Sequence, residues 1–163
     1  MEHFQDKVAV ITGAASGIGQ ALAERCLQEG MKVMLADVEA EALTATAETF
    51  RSGYNNPIET QVVDVSIVEQ LSALRDATVE AYGGVHLLFN NDGVGGSGGA
   101  WKGTEKDWDW VIGVNLLSVV HGLRLFVQII LEQNEPGHIV NTDSVAGLMG
   151  GVTNAPYYVT KHG

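Results

Sequence analysis

An α/β fold built on a doubly wound parallel sheet, three layers deep with helices on both faces, is what this sequence predicts. Three observations carry the prediction. Short apolar, β-branched runs alternate with longer stretches of helical period; a glycine-rich turn separates the first run from the first helix; and an acid, Asp37, closes the second run. Strands that alternate with helices pair in parallel through right-handed crossovers, which carry helices to both sides of the sheet.

Each element has its own signal. Residues 7–12 read as a short buried strand, followed by the turn from Gly13 to Gly19. Residues 20–29 read as a helix stopped by Gly30, and residues 31–36 as a second strand. An Ala- and Glu-rich helix over 38–50 and a turn over 53–57 lead to a third strand at 58–63. Ser66 is placed as the N-cap of a third helix ending at Tyr82, and residues 85–89 form the fourth strand. A glycine-loaded loop runs from Asn90 to Gly103 and joins that strand to a long helix over 104–133. Thr104 caps it, with Glu105 and Asp107 in the first turn, where the helix dipole favours acids. Residues 138–141 are the fifth strand, and Pro156 suits the first turn of a last helix.

Composition narrows the function classes. The 163 residues make one domain, spanning residues 1–163, and 45% apolar with 18% charged residues excludes a disordered chain. Nine basic against 20 acidic side chains give a net charge of −11, which repels phosphate backbones and argues against a nucleic-acid partner. The lone Cys26, in an apolar helical setting, reads as a core residue and excludes an intrachain disulfide. The five histidines show no metal-ligand spacing, so no metal is expected. The N-terminus lacks the pattern of a signal peptide, and Asn115, His121 and Arg124 interrupt the later apolar runs. A soluble, cytoplasmic chain without a membrane partner is expected.

Two groups of residues point to chemistry. The turn reads Thr12-Gly13-Ala14-Ala15-Ser16-Gly17-Ile18-Gly19. Glycines there permit positive φ and let the backbone approach a diphosphate resting on the next helix, in the manner of a Rossmann-like sheet; a tight turn is the plain alternative. No Gly-Lys-Ser/Thr follows, which excludes a P-loop. Asp37 could accept hydrogen bonds from the adenosine ribose hydroxyls and repel a 2′-phosphate, favouring NAD with NADP possible, or simply cap the helix after it. Tyr157 and Lys161 stand four residues apart, on one face of a helix. A nearby ammonium favours a phenolate and makes a phenol useful for moving a proton to or from a carbonyl oxygen. Most such pairs, taken alone, are surface contacts. Trp101, Trp108 and Trp110 flank the glycine loop and either wall a pocket or pack at the helix start.

With these residues in place, the whole chain resembles the short-chain dehydrogenase/reductase family. The resemblance rests on Thr12-Gly13-x-x-x-Gly17-x-Gly19, Asp64-Val65, Asn90-Asn91-x-Gly93, Asn115, Ser144 and Tyr157-x-x-x-Lys161. It implies an NAD(P)-dependent oxidoreductase that interconverts a secondary alcohol and a ketone on a small-molecule substrate. Tyr157 would be the general acid/base, Ser144 would hydrogen-bond the reacting oxygen, and Lys161 would hold the nicotinamide ribose. Asn115 would hold a water behind Lys161. Gly13, Ser16, Gly17, Ile18, Gly19, Asp37, Asp64, Val65, Asn91 and Gly93 would bind the cofactor together with Tyr157 and Lys161. Hydride chemistry would belong to the nicotinamide. The bland readings are a packed polar Asn115, a turn serine at 144 and a capping Asp64.

Three features depart from the family. Asp92 stands where an alanine is usual, and Asp143 where a small or hydroxyl residue is. A carboxylate ~5 Å from a diphosphate would repel it by roughly 3 kcal/mol, unless the side chain turns to solvent or to backbone donors. The sequence also stops at Gly163, less than two helical turns after Tyr157, so a C-terminally truncated member lacking the last strands is expected. The resemblance implies a homo-oligomer for full-length members, an expectation weakened for this shorter chain. The competing class is a nucleotide-binding or interaction module without turnover.

Overall fold

The computed structural model describes residues 3–163 apart from Ser97 and Val152. Its strands are β1 (Val8–Thr12), β2 (Lys32–Asp37), β3 (Ile58–Val62), β4 (Leu87–Asn90) and β5 (His138–Asn141). All are parallel, in the order β3-β2-β1-β4-β5. The helices are α1 (Gly17–Gln28), α2 (Ala40–Gly53), α3 (Val68–Tyr82), α4 (Glu105–Ile112), α5 (Ser118–Glu132) and α6 (Ala155–His162).

The strand period of two sorts the core into two halves. Ala9 and Ile11 of β1, with Val33 and Leu35 of β2, face α1 and α2 and pack on Ala23, Leu27, Leu43 and Phe50. Val10 of β1 and Met34 of β2 point the other way, onto Leu71 and Leu74 of α3 and Phe126 of α5. All five β1 residues are buried, as a strand covered on both faces requires. Cys26 lies in the first half-core, where burial, and behind it the charge of Glu29, push its thiol up to about 11.

The helix boundaries move for local reasons. α1 starts at Gly17, inside the glycine turn. α3 begins at Val68, and Ser66 is not its cap: the Ser66 N–H and hydroxyl both donate to Asp64 Oδ1, at 2.9 and 2.6 Å. The Asp64 side chain organises that turn instead. Thr104 does cap α4, in a reciprocal box with Asp107. The predicted single long helix contains a π turn, Gly113–Leu117, between α4 and α5. The stretch Glu105–Glu132 is long and apolar enough by length and composition to cross a bilayer. Here Val111, Val114, Asn115, Ser118, Gly122 and Phe126 form its buried side, and Val114 and Phe126 pack in the half-core facing α3, the placement of a core helix.

β5 is an edge strand, with His138, Val140 and Asn141 exposed. β1 sits between β2 and β4, so successive crossovers leave it in opposite directions. In open α/β sheets the crevice beyond the carboxyl ends of strands at such a switch point is where ligands bind.

Candidate active site

A cleft of about 760 Å³ opens at that crevice. The turn after β1, the ends of β2, β4 and β5, and the first turns of α6 wall it.

The glycine turn is held from several sides. Ala14 N–H donates to Ala36 O (3.0 Å) and Ala15 N–H to Asp37 Oδ2 (2.9 Å). Thr46 Oγ1 donates to Ala15 O (2.9 Å), and Asn91 Nδ2 to Thr12 O (3.1 Å). Gly13 and Gly17 take φ of +66° and +57°, the left-handed region that favours glycine. A Cβ on Gly19 would run into Gly13 O and Asn91 Nδ2. A Cβ on Gly17 would meet nothing, so the space over that residue is open. Ser16, the N-cap of α1, makes no side-chain cap bond, and no acid stands in the first turn. The leading N–H groups of α1 therefore remain for an anion, and these residues fit a dinucleotide diphosphate. Ile18, 64% exposed despite its apolar side chain, lines the same opening.

Asp37 accepts from Ala15 N–H through Oδ2 and from Glu39 N–H through Oδ1 (3.0 Å). Each carboxylate oxygen has a second lone pair, which leaves acceptor capacity for ribose hydroxyls.

On the opposite wall, Lys161 Nζ lies 5.9 Å from the centroid of the Tyr157 ring and donates to Thr142 O (2.7 Å). Thr142 in turn donates from Oγ1 to Asn91 Oδ1 (3.1 Å), tying the end of β5 to the end of β4. Ser144 follows, its Oγ accepting from Ala146 N–H (3.2 Å). Gly13, Ser16, Gly17, Ile18, Asp37, Asn91, Gly93, Ser144, Tyr157 and Lys161 thus line one cleft. Gly19, Asp64, Val65 and Asn115 are not among its lining residues. Gly19 shapes the turn from behind, Asp64 is engaged with Ser66, and Val65 is in the core. Asn115 is buried behind the wall: it accepts from Val94 N–H (2.8 Å) and donates to Val94 O (2.9 Å) and Thr160 Oγ1 (3.2 Å). None of the three tryptophans lines the cleft: Trp101 and Trp110 are exposed, and the Trp108 ring lies against Gly103.

Residues 7–163 match the family described as short chain dehydrogenase. The chain belongs to the short-chain dehydrogenases. C alpha-dehydrogenase of Sphingobium sp. is 39% identical over 99% of this chain and 53% of its own length. Levodione reductase of Leifsonia aquatica is 38% identical over 99% of this chain and 61% of its own. A short-chain dehydrogenase/reductase from Burkholderia phymatum, crystallised with NAD, superposes with a TM-score of 0.96 at 50% identity, over 99% of this chain and 57% of that one. An alcohol dehydrogenase from the archaeon Thermococcus sibiricus, complexed with 5-hydroxy-NADP, gives 0.91 at 26% identity, over 97% and 66%. This short-chain dehydrogenase sequence therefore spans little more than half, up to about two thirds, of the length of the relatives it matches.

Two cleft residues of this chain go beyond the family pattern. Asp143 is exposed, with both carboxylate oxygens beside Gly147. Asp92 does not turn to solvent. Burial pushes its carboxyl up to about 7, and the charges of Asp37 and Asp64 add to this. Its Oδ2 is buried without a partner. Asn154, which the sequence reading did not single out, also lines the cleft, with a buried, unpartnered Oδ1 and φ of +63°. Its position just ahead of Ala155-Pro156 at a helix start was the available signal.

Gly19→Ala should lower the thermal unfolding midpoint by several degrees, because the added methyl displaces the turn's own backbone. Gly53→Ala, where a Cβ meets nothing, should not; equal effects in parallel melts would contradict the steric account. A second prediction concerns pH. The folded chain keeps the Asp92 proton up to about 7, whereas an ordinary carboxyl loses it near 3.8. Unfolding then releases a proton between those values, so stability falls as pH rises from about 4 to 7 and levels above. Asp92→Asn should remove this decline and gain on the order of a few kcal/mol at pH ~8, read by denaturant unfolding at pH ~5 and ~8.

Proposed function

We propose that this chain carries the site of an NAD-dependent oxidoreductase that interconverts a secondary alcohol and a ketone. The observation that carries the reading is the placement of Tyr157 and Lys161 on one face of α6, across a single cleft from the glycine turn. When bound, the nicotinamide supplies or takes up the hydride.

The chain's own residues do the rest. In the reductive direction the Tyr157 hydroxyl donates its proton to the carbonyl oxygen as hydride reaches the carbon, and the product is the alcohol. The reverse reaction returns that proton to the phenol oxygen. Lys161, fixed by its bond to Thr142 O, places a positive charge beside the phenol and opposes the negative charge that develops there. Ser144, on the same wall, is positioned to hydrogen-bond the reacting oxygen. Asn115 acts through others: by holding Val94 and Thr160 it sets the loop and α6 against each other.

Asp37 supports NAD over NADP. Among the described residues at that end of the cleft are Val38 and Glu39 but no cation, so a 2′-phosphate would meet carboxylates only. One feature favours a second reading, nucleotide binding without turnover. Val145, Leu148 and Met149, which follow Ser144 along the chain, are exposed apolar side chains.

The two readings separate on Tyr157→Phe. With a panel of small ketones, NADH oxidation by the parent chain should be measurable, and the substitution should cut kcat by about 10²–10⁴-fold while NADH affinity stays within a few-fold. NADH binding with no ketone-dependent oxidation in either protein supports the second reading.

A further inference from the structure

We propose that Asp92 is an affinity-determining residue of the nucleotide cleft, entering it as a neutral carboxyl whose loss of a proton weakens the hold on a dinucleotide. The inference rests on the cofactor reading above and assigns a role there to the residue at x of Asn90-Asn91-x-Gly93.

Geometry makes the case. The Asp92 backbone is held against the end of β1, its N–H donating to Thr12 Oγ1 (3.2 Å). It lines the cleft next to Gly13, whose added Cβ would lie 3.3 Å from Asp92 Cα. One carboxyl oxygen, Oδ2, is buried and meets no protein donor. A buried oxygen left unpaired costs free energy unless it carries a proton or finds a ligand partner.

The surrounding charge is one-sided. Asp37 from β2 and Asp64 from the turn after β3 both act on Asp92 electrostatically, and both disfavour its ionised form. Glu39 and Asp143 line the same cleft and add negative charge. Thr12 and Gly13, on β1 and its turn, are uncharged. Among the described lining residues Lys161 from α6 is the one cation, and it is engaged with Thr142 O. The group's raised affinity for a proton, with ionisation near neutrality, agrees with this setting.

A neutral Asp92 carboxyl beside the glycine turn puts no charge next to a dianionic diphosphate, whereas an ionised one adds a like charge there. Binding and protonation are then linked, so a dinucleotide draws a proton onto Asp92. The family's small residue at this position would carry no such dependence.

The test is NADH titration of the parent chain, Asp92→Asn and Asp92→Ala, followed by NADH fluorescence from about pH 6 to about pH 8.5. The parent should bind about tenfold more weakly at the upper end, one unit of coupling between proton and ligand, and both variants should show a flat profile. Calorimetry of the parent in buffers of different ionisation enthalpy should show proton uptake on NADH binding near neutral pH, a readout that does not depend on either variant folding. NADH binding with the same pH profile in all three proteins, or without proton uptake in the parent, overturns the role of Asp92 alone. Absence of NADH binding at every pH in every protein overturns the cofactor reading and this inference with it.

Discussion

The assembly of this site depends on the hydrogen bonds of one buried amide. Asn115 sits in the π turn between α4 and α5, takes both backbone groups of Val94, and donates to Thr160. Three segments distant in sequence meet there: the loop after β4, the long helical stretch, and α6 with Tyr157 and Lys161. A π turn inserts one extra residue into the helical ladder and so changes which side chain faces the interior. Val94 sits in a glycine-rich loop and packs against the half-core facing α3. The amide ties that loop to α6.

A second constraint operates on the opposite wall. Thr12 ends β1, and its hydroxyl accepts from the N–H groups of Asn91 and Asp92 while donating to Phe89 O. The glycine turn and the β4 loop are therefore one unit rather than two. With Thr142 bonded to both Asn91 and Lys161, the connection runs from β1 through β4 and β5 to α6. The wall with the glycine turn and the wall with Tyr157 and Lys161 are held at a fixed spacing by backbone-directed polar bonds, while the apolar half-cores beneath supply most of the stability.

Much of this was legible in the sequence because it is written locally. Strand runs, the glycine spacing, the Thr104 cap and the four-residue interval from Tyr157 to Lys161 each lie within one or two turns of chain. Alternation and handedness predict a parallel sheet with helices on both faces, whereas the order 3-2-1-4-5 is seen only in the structure. What escaped depends on partners far along the chain. Ser66 looked like a cap until Asp64 took both its donors. Gly113-Val114-Asn115 has helical period, and nothing in it signals an extra residue in the turn. Asp92 was visible as an odd residue, but its burial and its neighbours Asp37 and Asp64 come from three separate crossovers. Asn154 needs a left-handed backbone that only the packed start of α6 enforces.

Amide hydrogen exchange at Val94 tests the Asn115 anchor most directly. Its N–H should exchange far more slowly than those of Gly93 and Gly95 on either side, and Asn115→Ala should abolish the difference while speeding exchange in α6. Exchange at Val94 as fast as at its glycine neighbours in the unaltered protein, or α6 left unchanged by the substitution, would contradict the account.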